Sequence, residues 1–390
     1  MARQRYSITA MLTCTLLLTA AGCDSGSGPP AVDLAKLDSG NYLTTPRTIA
    51  PTAQTGAIQE SVELAKHLPL ILDIDSRMVF GNATSGNFAF TADHPPPVEP
   101  IYHIDDFNAA APGLIAGFRT GGQRRISYAL GLEAQLGVLR FGTPDQAGHA
   151  LSLLAGAQAA QPNTTDTSIP AYPDARAEIN EYGSVMTWLV RDTYLVWTIV
   201  EDNLAPAPDP VPLSRFTARI YDKLFEMLRD YHPTAPDRLA TLPADVDGLL
   251  GRTLPSPKVS DWTPAILTPR AALHLDYYPA QTSRIFADAK VDLVAIDRST
   301  ITRAGDRPAA ARLLAAYVDQ LAGDYGPFDG PPGLPGAKCL KKLDDPVGPA
   351  VVTYTCFIGY DRYVAQVWAE QPQDLYQEAA AQYKLLAAGH

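Results

Sequence analysis

Few residues in this chain combine types and spacing that could do chemistry. Asp73-Ile74-Asp75 puts two carboxylates on one side if the segment is extended, an arrangement able to hold a hard cation or to move protons. The simpler reading is a solvated turn. His103-Ile104-Asp105-Asp106 is the densest polar cluster, but a metal site needs three or four converging ligands and no second cluster follows at a suggestive spacing. A loop or helix-capping role is expected there. His274-Leu275-Asp276, followed by Tyr277-Tyr278, has the mix of groups that lines a pocket. Tyrosines packed at a domain surface with wet hydroxyls are the plainer alternative. Gly121-Gly122-Gln123-Arg124-Arg125 offers backbone amides and two cations to an anion, so Arg124 and Arg125 are ligand-site candidates, against the commoner reading of a turn.

Recognised catalytic signatures are missing. The sequence has no GxSxG, GxxxxGK[ST] or HExxH, and no GxGxxG after a strand. No cofactor is expected. The formal net charge of −11 repels nucleic acid and anionic headgroups, which argues against a nucleic-acid partner.

Cysteine usage speaks to compartment. Cys339 and Cys356 flank Pro346-Val347-Gly348-Pro349 symmetrically, a strong turn sequence. A hairpin turning there sets the two thiols opposite each other, in reach of a disulfide, which suits an oxidising location. A redox or metal pair would need a CxxC spacing or nearby histidines, and neither is present. Cys14 and Cys23 lie near the amino terminus. Arg3 and Arg5 give a basic start, Ile8 to Ala21 is an uncharged apolar run too short to span a bilayer, and small residues lead into Cys23. A flexible polar stretch follows. This is the pattern of a lipoprotein signal, with Cys23 acylated and anchoring the protein in a lipid bilayer at the extracytoplasmic face of the cell membrane. Ala20 stands where such signals usually carry leucine, and conventional secretory cleavage is the alternative.

The body that must position these groups reads as an internal duplication. In the first half a strand from Leu136 to Phe141 precedes Thr143-Pro144-Asp145-Gln146, a helix start with cap, N1 proline and capping-box glutamine. That helix runs to about Ala157. Strands Val185 to Val190 and Tyr194 to Val200 form a hairpin, and a helix from Leu213 to Leu228 carries Phe216, Ile220 and Leu224 on one stripe. The second half repeats the order: a strand from Leu293 to Thr302, a helix from Pro308 to Leu321, strands Val351 to Ile358 and Tyr363 to Ala369, and a helix from Pro372 to Leu386. Pro144 and Pro308, and the hairpin tripeptides Asp192-Thr193-Tyr194 and Asp361-Arg362-Tyr363, recur at nearly equal offsets. Two further helices, about Thr55 to Leu68 and Ala280 to Ala289, precede the units. The expected fold is α+β: two tandem β-α-β-β-α units, each a small antiparallel sheet with helices on one face. The expected division is a signal peptide at 1–22, a tether at 23–34, an N-terminal domain at 35–232, a proline-rich linker at 233–262 and a C-terminal domain at 263–390. Trp188, Trp197, Tyr363 and Trp368 lie on the strands, chiefly as core. Any that face outward would form an apolar patch.

Leu37-Asp38-Ser39-Gly40-Asn41-Tyr42 with Thr44-Thr45-Pro46-Arg47, the repeated hairpin units, and the ending Ala380-Ala381-Gln382-Tyr383-Lys384-Leu385-Leu386 carry a resemblance. The chain resembles a domain-of-unknown-function family of lipoproteins from mycolic-acid-bearing actinobacteria, built of separate N- and C-terminal domains. The resemblance implies an envelope lipoprotein with no established activity and carries over no catalytic residues. Three functional expectations follow. A non-enzymatic module binding an envelope protein or an apolar ligand comes first. A hydrolase of envelope polymers requires a concave pocket with at least two convergent titratable groups. A structural spacer predicts a flat, pocketless surface.

Overall fold

A computed structural model describes residues 32–81, 88–96, 106–126, 130–159, 163–204, 209–257, 263–346 and 352–389. The signal segment, Cys23, His103 and Asp105 lie outside them. Two antiparallel sheets carry the chain from Asp33 onward, which forms one compact unit. The first has the order β1-β3-β4-β8-β7-β6-β5, with β2 paired to β3. Its strands are β1 (Phe80–Gly81), β2 (Ala89–Phe90), β3 (Leu114–Gln123), β4 (Leu132–Phe141), β5 (Thr164–Asp166), β6 (Arg176–Asn180), β7 (Val185–Arg191) and β8 (Tyr194–Asp202). The second has the order β12-β13-β14-β15-β11-β10-β9. It comprises β9 (Ala265–Leu267), β10 (Leu293–Ile296), β11 (Thr300–Arg303), β12 (Tyr325–Phe328), β13 (Lys338–Lys342), β14 (Tyr354–Tyr360) and β15 (Tyr363–Ala369).

The helices are α1 (Ala53–Lys66), α2 (Phe107–Ala110), α3 (Pro144–Ala159), α4 (Pro210–Met227), α5 (Pro269–Leu273), α6 (Pro279–Ala289), α7 (Arg307–Gln320) and α8 (Pro372–Ala387). The caps explain where several begin. Thr143 and Gln146 form the reciprocal box at α3, each backbone amide bonded to the other's side chain. Asp209 and Asp306 cap α4 and α7.

The duplication is real and larger than the five-element unit that the sequence suggests. Each half runs strand, strand, helix, four strands, helix, and the core of each sheet has the same order, β3-β4-β8-β7-β6-β5 matching β10-β11-β15-β14-β13-β12. The corresponding hairpin residues Asp192 and Asp361 both adopt left-handed backbone, with φ of 53° and 47°. Aspartate tolerates this conformation better than most residues, and it suits a tight turn matched to the strand twist.

Three features depart from the sequence reading. Leu293 to Thr302 is not one strand but the hairpin β10–β11, because Asp297-Arg298-Ser299 turns the chain, with the Asp297 amide bonded to the Ser299 carbonyl. The helices lie on both faces of each sheet. Val196 and Val200 of β8 share a core with Leu213, Phe216, Ile220 and Leu224 of α4. Leu195, the alternate residue, shares another with Ala147, Ala150 and Leu154 of α3. Strand β8 is therefore apolar on both sides, which a single helical layer could not cover. The segment read as a linker is also packed structure. Leu239 and Leu254 are buried, and the Leu239 carbonyl comes so close to α1 that a Cβ at Gly56 would stand 1.9 Å from it.

The two halves share a core. Ile58, Val62 and Ala65 of α1, with Phe118 of β3, cluster with Leu267, Phe286, Val294, Phe357 and Val364 of the C-terminal half. Within the same junction, His274 is 3% exposed; its Nδ1 lies 2.7 Å from the Thr120 hydroxyl and its Nε2 3.0 Å from the Ala65 carbonyl. The residues from Leu37 to Arg47, placed by sequence in the first domain, bond to the second. Tyr42 donates to Asp374 at 2.8 Å, Lys384 donates to the Leu37 carbonyl at 2.9 Å, and Arg47 pairs with Asp297 at 3.0 Å.

Candidate functional site

The candidate site is a cavity of about 340 Å³ in the C-terminal half, between the inner face of the second sheet and helices α6 and α7. Ile296, Thr300, Thr302, Phe357, Val364 and Gln366 form its floor, as successive inward positions of β10, β11, β14 and β15. Tyr317 of α7 stacks on Phe357, ring centroids 5.5 Å apart and planes at 22°, and its hydroxyl lies 3.0 Å from that of Thr302. Gln366 donates to the Thr355 hydroxyl at 3.1 Å. The volume is at the small end of ligand pockets, and the mix of apolar walls with a few fixed polar groups is what such pockets show.

Comparing the halves explains why a cavity forms here. In the first sheet Trp188 pairs across with Trp197, and Trp197 with Gly137. At the same register positions the second sheet has Phe357 opposite Gln366, and Gln366 opposite Thr300. The Trp197 indole lies directly over Gly137, where a Cβ would meet the ring at 2.1 Å. It fills the layer beneath α3. Gln366 is too small and too polar to do the same beneath α7, and Thr300 closes the gap that the indole would need.

One wall of the cavity holds its polar groups. Asp276 accepts from the Tyr278 amide at 2.6 Å and from the Thr282 hydroxyl. Burial pushes its carboxyl above the usual range despite those bonds. Gln320 in turn donates to Thr282 at 2.9 Å, so a chain of hydrogen bonds fixes the start of α6 against α7. Asp324, 4% exposed, accepts from the Tyr278 hydroxyl at 3.1 Å. Tyr277 and Tyr278 meet edge to face at 5.1 Å and 85°, and Phe80 of β1 stands 6.1 and 6.0 Å from them. The Tyr277 hydroxyl donates to the Ile126 carbonyl and accepts from Gln123 at 2.9 Å; burial pushes its pKa up to about 12. Burial likewise raises Tyr278 and Tyr317, so all three phenols are neutral donors near pH 7.

The sequence candidates divide accordingly. Asp276, Tyr277 and Tyr278 line the cavity, while His274 sits in the junction behind them. Asp73 and Asp75 do not act together. Asp73 pairs with Arg270 at 2.5 Å, and Asp75 with Arg77 at 2.6 Å, whose bonds hold Asp75 down at about 2. Asp106 caps α2 through the Ala109 amide at 3.0 Å, the ordinary role expected of that cluster. Gly121 and Gly122 are ladder residues of β3, paired with Gln135 and Ala134, and the Arg124 amide bonds the Leu132 carbonyl. Arg124 and Arg125 are exposed beyond that strand, and these amides are not free to cradle an anion. Gln123 is the member of the group that reaches the tyrosines. Among the described residues no His/Cys/Asp/Glu group could hold a metal ion, and no helix is long and apolar enough to cross a membrane. Trp188 is core, while Trp197, Tyr363 and Trp368 are half-buried. Cys339 and Cys356 form the expected disulfide, directly opposite in the β13–β14 ladder.

Two family profiles cover most of the chain. The domain of unknown function DUF7373, N-terminal, matches residues 47–244, and its C-terminal counterpart matches residues 249–389. The chain belongs to the DUF7373 family. The DUF7373 boundary falls where the first sheet's core gives way to the second's, and the N-terminal profile begins at Arg47, after the segment that bonds α8. No curated protein matches the chain. Among solved structures it is similar to the extracellular domain of PknH from Mycobacterium tuberculosis, at 12% identity and a TM-score of 0.29 over 43% of this chain and 96% of that one. A likeness this slight carries no argument.

Proposed function

We propose that this protein is an exported lipoprotein of the cell envelope, anchored by acylated Cys23, that binds an apolar ligand in its C-terminal half. The observation that carries the reading is the cavity itself: a half-open space of about 340 Å³ floored by one sheet, at the position its sister sheet fills with Trp197. A spacer has no use for such a space. The disulfide supports an oxidising, extracytoplasmic location. The apolar part of such a space binds because a ligand there leaves water and gains contact with walls that otherwise lack partners.

A hydrolase of envelope polymers working through dispersed carboxylates needs two of them free to exchange protons with a substrate. Asp276 and Asp324 share the cavity wall, but Asp276 is committed to the Tyr278 amide and the Thr282 hydroxyl, where it holds the start of α6. Binding without chemistry is the better account.

The test is native mass spectrometry of protein purified from its own membranes in mild detergent. It is run beside the double variant Thr300→Gly/Gln366→Trp, which copies the Gly137–Trp197 pair into the second sheet. The expected result is an acylated Cys23 in both proteins and a dissociable apolar adduct on the wild type alone. An empty wild type, or an adduct held equally by the filled variant, refutes binding in this cavity. An unmodified Cys23 refutes the anchor.

A further inference from the structure

One row of cross-strand neighbours crosses the cavity floor: Ile296 of β10, Thr300 of β11, Gln366 of β15 and Phe357 of β14. Its ends are apolar and its middle is a polar pair. Thr355, the inward residue next to Phe357 on β14, fixes how the glutamine lies. Its hydroxyl gives its one hydrogen to the Val367 carbonyl at 2.9 Å, so toward Gln366 it can only accept. The atom of Gln366 that meets it at 3.1 Å is therefore the amide nitrogen, and the side-chain carbonyl oxygen is turned away from Thr355. Among the described residues neither this oxygen nor the Thr300 hydroxyl has a hydrogen-bond partner, although both side chains line the cavity. A wholly apolar ligand would strip water from these two groups and give them nothing in return.

We infer that the ligand carries a primary carboxamide on its apolar body: its N–H donates to the Gln366 carbonyl oxygen, and its C=O accepts from the Thr300 hydroxyl. The inference rests on the binding reading above and adds the head group to it. Gln366 and Thr300 are direct neighbours on one face of the sheet, so the ligand must present its donor and acceptor on one edge. A primary amide has such an edge, with one N–H on the same side as the C=O. A secondary amide is trans and turns the two apart. A ketone or ester lacks the donor, and an amine lacks the acceptor. The apolar remainder lies along Ile296, Phe357 and Val364.

The experiment is titration calorimetry of the full chain at pH 7 with octanamide, N-methyloctanamide and 2-nonanone, which share one alkyl chain and one carbonyl. Octanamide is expected to bind about tenfold tighter than either of the others. In Gln366→Met that advantage is lost while 2-nonanone binding is kept. In Thr300→Val all three probes weaken together, because each accepts from the same hydroxyl. Equal affinities of octanamide and 2-nonanone in the wild type overturn this inference and leave the apolar site standing. N-methyloctanamide binding as tightly as octanamide overturns the primary-amide edge. Failure of every probe overturns both readings. The wild-type series stands without the variants should either not fold.

Discussion

Protonating His274 should loosen the junction between the two halves, and the effect can be sized. The imidazole is buried, its Nε2–H donating to the Ala65 carbonyl while Nδ1 accepts from the Thr120 hydroxyl. Both bonds fit the neutral ring, and burial, with Arg270 nearby, pushes its pKa from 6.5 down to about 3. In the unfolded chain the ring titrates normally, so between these values the unfolded state binds more protons. Stability from this group is therefore complete above pH 6.5 and falls as pH drops toward 3. The slope is about 1.4 kcal/mol per pH unit below the unfolded pKa, or about 2 kcal/mol lost between pH 6.5 and pH 5. The raised carboxyls of Asp276 and Glu378 act in the opposite sense, stabilising on acidification. A comparison with His274→Gln cancels them, because both proteins carry them. Urea unfolding of the two proteins at steps from pH 7.5 to pH 5 gives the difference directly. The wild type should lose about 2 kcal/mol relative to His274→Gln across that range. A pH-independent difference would refute the placement of a neutral, doubly bonded imidazole at this junction.

Other consequences are simpler to state. Cys339→Ser/Cys356→Ser should lose about 3 kcal/mol against urea, as closure of a loop of this length implies, with little change in the far-ultraviolet circular dichroism of the folded protein. Arg140→Met should cost about 3 to 5 kcal/mol, because Glu60, fully buried, loses its ion pair at 2.7 Å and keeps only Tyr231 and the Thr234 amide. Calorimetric melting measures that loss. Tyr42→Phe removes the hydroxyl bonded to Asp374 and should cost about 1 kcal/mol, with hydrogen exchange rising at residues 37–47 and along α8 and not in the first sheet. Gly137→Ala should destabilise the first half, since the new methyl meets the Trp197 ring, and partner substitution Trp197→Gln should relieve it.

Much of this was legible in the residues, because the fold is built from local signals. The capping box at Thr143, the Phe216–Ile220–Leu224 stripe and the symmetric cysteines each specify their element within a few residues of sequence. The paired Asp192 and Asp361 turns made the duplication visible. What escaped has a physical cause as well. Strands covered on both faces carry no alternation, so β3, with its three glycines, gave no period to read. Arg124 and Arg125 looked available because sequence does not show that the neighbouring glycine amides are spent on a sheet ladder. The cavity was hidden for a different reason: its lining comes from three helices, five strands and the loops between them, and an empty space has no residues of its own. The signal lay in the duplication. Superposing the halves on Asp192 and Asp361 sets Trp197 against Gln366 and Gly137 against Thr300, a change from filling to vacancy in otherwise matched sheets. The tyrosine pair after His274 was identified from its chemistry, but its place at a cavity wall depends on Phe80 and Gln123, which are far away in sequence.

The account turns on the space beside Phe357 in the C-terminal half, at the position that Trp197 occupies in the first sheet. Crystals of the protein pressurised with xenon measure that directly, since the gas enters apolar cavities and displaces nothing polar. We predict a single strong peak between Phe357, Tyr317 and Val364, and none beneath the Trp188–Trp197 pair. Absence of a peak beside Phe357, or equal occupancy beside Trp197, would contradict it.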